Sequence, residues 1–133
     1  MYKMIGQYYS HRKIGQFTSA WDAIQAYFYN VMIYTLNPSK WEHFSPVWCD
    51  WHEQMRAYAY IAADAPNYRY YIAAGTAHTI LVSPEFYEED SAGVPFVDWL
   101  RAMVENQGGT RGHGAMPWQN LECFVCDDPI LCQ

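Results

Sequence analysis

Residues 67–81, NYRYYIAAGTAHTIL, constrain this chain more than any other stretch. Tyr68 to Ala74 is aromatic, β-branched and small, the composition of a buried strand. It runs into Gly75-Thr76-Ala77-His78, a small-residue turn that ends on an imidazole. A histidine projected off the end of a buried strand is how a hydrolytic site delivers a general base, so His78 is a candidate base. A core histidine with its hydrogen bonds satisfied is the competing reading.

Bulk properties bound what can surround that strand. The 133 residues are 51% hydrophobic and 18% aromatic, with 12 Tyr and 6 Trp, so a packed core is expected within a single domain or part of one. A net charge of -6 leaves no basic stripe to neutralise phosphates, which argues against nucleic acid as a partner. No apolar run approaches the roughly 20 residues of a membrane span. The opening MYKMIGQYYSHRK contains no apolar signal-peptide core.

Residues 2–9 read as a short helix or ordered lead-in, and Lys13 to Thr18 as a strand with Ile14 and Phe17 as its apolar members. Ser19-Ala20-Trp21-Asp22 has the Ser-x-x-acid form of a helix N-terminus. Ile24, Tyr27, Phe28, Val31 and Thr35 then predict a helix over 20–36 with that face buried, ended by Asn37-Pro38. Pro46 opens a second helix with Trp48, Trp51, Met55, Tyr58 and Ala62 on one stripe. After the strand at Tyr68, residues 86–90 form a loop or short hairpin with an acidic edge. Gly93-Val94-Pro95 then opens a third helix with Phe96, Val97, Leu100 and Val104 inward, stopped by residues 107–110. Residues 107–133 read as an irregular, cysteine-containing tail. The order strand, helix, helix, strand, helix is an α/β arrangement of about two parallel strands with three flanking helices. Two strands are too few to hide both faces of a parallel sheet, so the chain reads as one flank of a larger domain.

A catalytic imidazole needs a carboxylate on its other nitrogen. Asp22 is the best candidate, because it follows a strand and opens a helix, where doubly wound sheets place their sites. A plain helix N-terminal carboxylate is the alternative for Asp22. Of the other histidines, His52 reads as a packing residue, while His11, His43 and His113 fall in loops. No two histidines share the i, i+4 spacing of a helical metal pair, and no cofactor or metal site is expected. The Trp48/Trp51/Tyr58 stripe could stack sugars, but at helical spacing core is the stronger reading. Cys49, Cys123, Cys126 and Cys132 fit structural disulfides in an oxidising, extracellular or periplasmic setting. Cys123-x2-Cys126 lacks the second CxxC of a zinc knuckle and the strand-then-helix setting of a redox pair.

Two blocks resemble a known family. Gln16-Phe17-Thr18-Ser19-Ala20-Trp21-Asp22-Ala23-Ile24-Gln25 is similar to the acid-bearing segment of pectin acetylesterases and Notum-type carboxylesterases. Gly75-Thr76-Ala77-His78-Thr79-Ile80-Leu81, with Phe86-Tyr87 and Gly93-Val94-Pro95-Phe96-Val97-Asp98-Trp99-Leu100 beyond it, resembles their histidine segment and the following helix. The resemblance covers about residues 14–32 and 68–104. It implies an α/β-hydrolase fold and serine-dependent hydrolysis of acyl esters, including acetyl groups on polysaccharide. Asp22 would be the triad acid and His78 the triad base. The Gly-x-Ser-x-Gly elbow of that family does not occur here, since none of Ser10, Ser19, Ser39, Ser45, Ser83 and Ser91 is flanked by both glycines. The expectation is a C-terminal segment of such an esterase, inactive alone. A non-enzymatic binding or assembly module on the same scaffold, able to form a homo-oligomer, is the alternative, and a small disulfide or metal module a third.

Overall fold

The computed structural model describes residues 1–42, 45–105, 116–123 and 126. The expected loop histidines His43 and His113, the helix stop at 107–110 and Cys132 lie outside the described residues.

Helix α1, Tyr2–Tyr8, leads into strand β1, Ile14–Ser19. Asn67 pins that lead-in, its Nδ2 donating to the carbonyls of Tyr9 (3.0 Å) and Arg12 (2.5 Å). Strand β2, Tyr68–Ala73, pairs in parallel with β1 in the register Ile14↔Tyr68 to Ser19↔Ala73. On its other side β2 pairs in parallel with a two-residue strand from the tail, Leu121–Glu122, through Tyr71↔Leu121 and Ile72↔Glu122. The sheet is therefore three-stranded and β2 is its middle strand. The tail strand escapes sequence reading because two residues are too few to show the alternation by which a strand is recognised.

Helix α2, Ala23–Ile33, and helix α3, Ser45–Ala62, connect β1 to β2. Trp51, Met55 and Ala59 of α3 pack on Ile72 from one side of the sheet. Helix α5, Phe96–Glu105, lays Phe96 and Trp99 against Tyr71 and Ala73 from the other. Tyr68, Tyr71, Ile72 and Ala73 have no exposed surface, so this chain covers both faces of its central strand, contrary to the expectation from strand count. Between β2 and α5 come a one-turn helix, α4 (Glu85–Glu88), and an antiparallel hairpin of β3 (Asp90–Ser91) and β4 (Val94–Pro95), which makes the tail strand β5. Ala92 (φ 54°) and Gly93 (φ 76°) form the hairpin's turn, both in the left-handed region that a tight two-residue connection requires.

Two helices present faces other than those expected. On α2 the inward residues are Ala26 and Asn30, both without exposed surface, whereas Ile24, Phe28 and Met32 are 45%, 57% and 68% exposed. The apolar period of this helix marks its outer side. Ala26 allows close approach, and Asn30 Nδ2 donates to the carbonyls of Lys40 and Trp41, closing the loop behind the helix. On α5 Phe96 is buried and Leu100 packs on the core as expected, but Trp99 and Ala102 complete the buried set and Val104 is exposed. Its phase is set by Gly15 of β1, where an added Cβ would lie 2.8 Å from Met103 Sδ and 3.0 Å from the Trp99 ring. The indole fits because the strand carries no side chain there. On α3 the expected stripe holds except at Tyr58, which is exposed. Among the described residues, no helix is long and apolar enough to cross a membrane.

Candidate active site

β1 and β2 run in parallel, so their C-terminal ends lie side by side and the turns leaving the two strands meet at one edge of the sheet. The pairing continues past the strands: Ala20 N donates to Ala73 O at 2.7 Å and Trp21 N to Gly75 O at 3.0 Å. Gly75 (φ 88°) then turns the second chain through a conformation that disfavours any side chain. Ser19, the last residue of β1 and fully buried, donates its hydroxyl to Ala77 O at 2.7 Å. Ile80 is buried against the α5 side of the core, so the turn is held on both sides of His78.

This brings together two side chains fifty-six residues apart. His78 Nδ1 lies 3.1 Å from Asp22 Oδ1 and 3.0 Å from Oδ2. The Asp22 carboxylate is buried, and 43% of the His78 side chain is exposed. Asp22 is also the N-cap of α2, accepting from Ile24 N (3.0 Å) and Gln25 N (2.9 Å) on Oδ1, with Gln25 Nε2 at 3.0 Å from Oδ2. Four donors match the acceptor capacity of a carboxylate, and the helix N-terminus favours negative charge at this place. The two readings of Asp22 are thus one arrangement: the cap and the imidazole partner are the same carboxylate.

The cap itself differs from the sequence expectation. Ser19 does not open the helix; Asp22 does, with φ -61° and ψ 103°. The Ser-x-x-acid pattern belongs here to a strand end and a cap, and the serine serves the turn opposite.

A second histidine supports the segment ahead of Asp22. His52 of α3 is 3% exposed; its Nδ1 donates to Ala20 O at 2.7 Å and its ring stacks on Trp21 at 4.2 Å with planes 7° apart. Trp21 Nε1 in turn donates to Cys126 O at 2.8 Å, within the corner closed by the Cys123–Cys126 disulfide. No cysteine among the described residues is a free thiol, and none of the described His, Cys, Asp and Glu side chains form a group of three or more suited to a metal ion. Beneath the site, burial pushes the Tyr68 and Tyr71 hydroxyls well above the usual tyrosine range. Both donate, Tyr68 to Gln16 Oε1 and Tyr71 to Val94 O at 2.6 Å.

A neutral imidazole that donates Nδ1–H to a carboxylate carries its lone pair on Nε2. Among the described residues no side chain bonds to His78 Nε2. The pair is therefore set up to accept a proton at Nε2, with a buried carboxylate ready to face the resulting imidazolium. Ser19 and His52 are supporting residues that periodicity does not reveal, because each acts on a carbonyl brought near by the fold, whereas Gln25 stands three residues after the cap, at the Asp-x-x-Gln spacing of a capping box. Comparison with family models, curated proteins and solved structures returned no match.

Proposed function

We propose that this chain supplies the acid and base of a serine carboxylesterase, as the C-terminal segment of an α/β-hydrolase resembling pectin acetylesterases. The observation that carries the reading is the Asp22–His78 hydrogen bond at the neighbouring ends of two parallel strands. The motif resemblance of residues 14–32 and 68–104 supports it. In this scheme a serine delivered by another segment gives its proton to His78 Nε2 as its oxygen attacks the acyl carbonyl. Asp22 stabilises the imidazolium, which then returns the proton to the leaving alcohol. Water, deprotonated by the same nitrogen, releases the acid. The substrate is an acyl ester, with acetylated polysaccharide the candidate class, and the setting is extracellular or periplasmic, where the disulfide persists.

The nucleophile must come from outside these 133 residues, since none of their serines sits in a glycine-flanked elbow. The test joins the chain to the polypeptide encoded in frame ahead of it and assays p-nitrophenyl acetate hydrolysis with fluorophosphonate labelling. The isolated chain is expected to show neither, and the joined protein both. His78→Ala in the joined protein should lower kcat on the order of 10^6-fold. Undiminished hydrolysis in His78→Ala, or a preceding frame and partner chains with no Gly-x-Ser-x-Gly, overturns the reading.

A second reading, a non-enzymatic assembly module on this scaffold, is favoured by one observation: the outer face of α2 is apolar and exposed, and β1 is paired on one side only among the described residues. Both readings expect that surface to be covered, by a serine-bearing segment in the first and by another copy in the second.

A further inference from the structure

The turn that carries His78 is tied down at few points. Its anchors are Gly75 O, which accepts from Trp21 N, and Ile80, whose side chain is buried in the core. Packing does little between them. Gly75, Thr76, His78 and Thr79 are exposed, and a Cβ placed on Gly75 would meet nothing within 4 Å. Residues 76–79 separate the anchors, and each contributes two soft torsions, more than fixed ends alone can hold still. Among the described residues, Thr76, Ala77 and His78 make no backbone–backbone hydrogen bond. Thr79 O accepts from Ser83 Oγ at 3.3 Å, a bond within the same exposed loop. Apart from the ring of His78 itself, one bond reaches the turn from outside: Ser19 Oγ donates to Ala77 O at 2.7 Å. That donor has no exposed surface and sits on the last residue of a paired strand.

We propose that Ser19 is a positioning residue of the base: its buried hydroxyl fixes the Ala77–His78 peptide and so sets where the turn presents the His78 ring to Asp22. The inference rests on the reading of Asp22 and His78 as acid and base. Asp22 is the immobile member of the pair, held by its helix cap and without exposed surface. His78 is the member that has to be delivered, because its side chain is half-exposed and its main chain turns through solvent. The carbonyl that Ser19 holds belongs to the peptide group from which His78 leaves. A tilt of that peptide redirects the Cα–Cβ bond of His78 and swings the ring off the carboxylate. Without the hydroxyl, the turn samples positions in which Nδ1 exchanges Asp22 for water, and the direction of the Nε2 lone pair is lost.

Ser19→Ala removes the donor. Ser19→Cys, close in shape and only a weak donor, serves as a second variant should the first misfold, with a smaller change in the same sense. The measurement is nitrogen-edited proton NMR of the His78 ring in the chain as it stands, at a pH where the imidazole is neutral. It reads which ring nitrogen carries the proton and how fast Nδ1–H exchanges. Two backbone amides serve as references, that of Trp21 for the Gly75 anchor and that of Gln25 for the helix cap. The expected result is roughly three- to tenfold faster exchange of Nδ1–H relative to both amides, the worth of one hydrogen bond. The share of the ring protonated on Nε2 should rise with it. An unaltered Nδ1–H in a folded variant overturns the inference and leaves the pair standing. Equal acceleration of Nδ1–H and the reference amides also overturns it, because Ser19 would then hold the fold and not the turn. A wild-type chain with no protected Nδ1–H shows that the pair does not form, which removes the parent reading instead.

Discussion

Asp22 serves a helix and an imidazole with one carboxylate, and the two duties separate under substitution. Asn caps a helix about as well as Asp, while Ala forfeits about 1 kcal/mol. Asp22→Asn should therefore stay closer to the wild type in urea denaturation than Asp22→Ala. Its amide NH2 faces Nδ1, however, so the ring must carry its proton on Nε2 and the lone pair turns inward. The Nδ1–H proton should vanish from the NMR spectrum in both variants, and on the esterase reading Asp22→Asn should lower the kcat of the joined protein about 10^4-fold. Glu89 offers a residue-scale test of pH. Its carboxyl is raised above the usual 4.5 by burial, next to Asp90 and Glu85. A raised acid favours the fold in its protonated form, so its contribution is complete below the unfolded value and is lost as pH rises through the folded one. Glu89→Gln should therefore melt at or above the wild-type temperature at pH 7, with the gap closing or reversing below pH 4. His78 and Asp22 are legible in the sequence because each follows a strand whose composition is plain. Ser19 is not, because a hydroxyl aimed at Ala77 O leaves no trace in periodicity, whereas the Asp-x-x-Gln spacing of Asp22 and Gln25 is itself a readable helix-start signature.

At the scale of elements, β1, β2 and the longer helices could be placed from pattern, but the two-residue strands β3, β4 and β5 could not, nor could the faces of α2 and α5 in full. Apolar residues on α5 form two overlapping stripes, and the choice between them is made by Gly15, a residue on another element. Trp99 is 1% exposed and donates Nε1–H to Gln119 O at 2.7 Å, tying the tail to the helix. Trp99→Ala should cost about 3–5 kcal/mol, read as a collapse of the urea midpoint. The helices α2 and α3 are joined by Tyr29, whose hydroxyl donates to Asp50 Oδ2 at 2.5 Å. That hydrogen bond pushes the Tyr29 pKa up to about 12, helped by burial and by the Asp50 charge. The raised value means that the link favours the fold below pH 10 and is lost as pH rises through about 12. In an ultraviolet tyrosinate titration, the difference between wild type and Tyr29→Phe should be a single ionisation centred near pH 12.

At the scale of the whole molecule, the uncovered surface among the described residues lies to the side of the sheet and not above or below its central strand. The central strand is covered on both faces, yet β1 is paired on one side only among the described residues. The helix following β1 turns Ile24, Phe28 and Met32 outward, and residues 23–39 contain no charged side chain. A net charge of -6 keeps copies apart elsewhere, but nothing in that stretch repels an apolar partner. Gln16 of the open strand and Phe28 and Met32 of the uncharged helix face line one groove, so one strand-and-helix unit could cover both. On the esterase reading, the isolated chain should therefore bind the dye ANS and associate without fixed stoichiometry, measured by fluorescence and sedimentation. Phe28→Ser with Met32→Ser should weaken both signals while moving the urea midpoint little, within the roughly 0.5 kcal/mol typical of surface changes. On the same reading, joining the chain to a serine-bearing segment should abolish dye binding in the wild type. A discrete symmetric oligomer, silent to the dye and melting cooperatively on its own, would instead assign that lateral surface to a second copy and the chain to the assembly module.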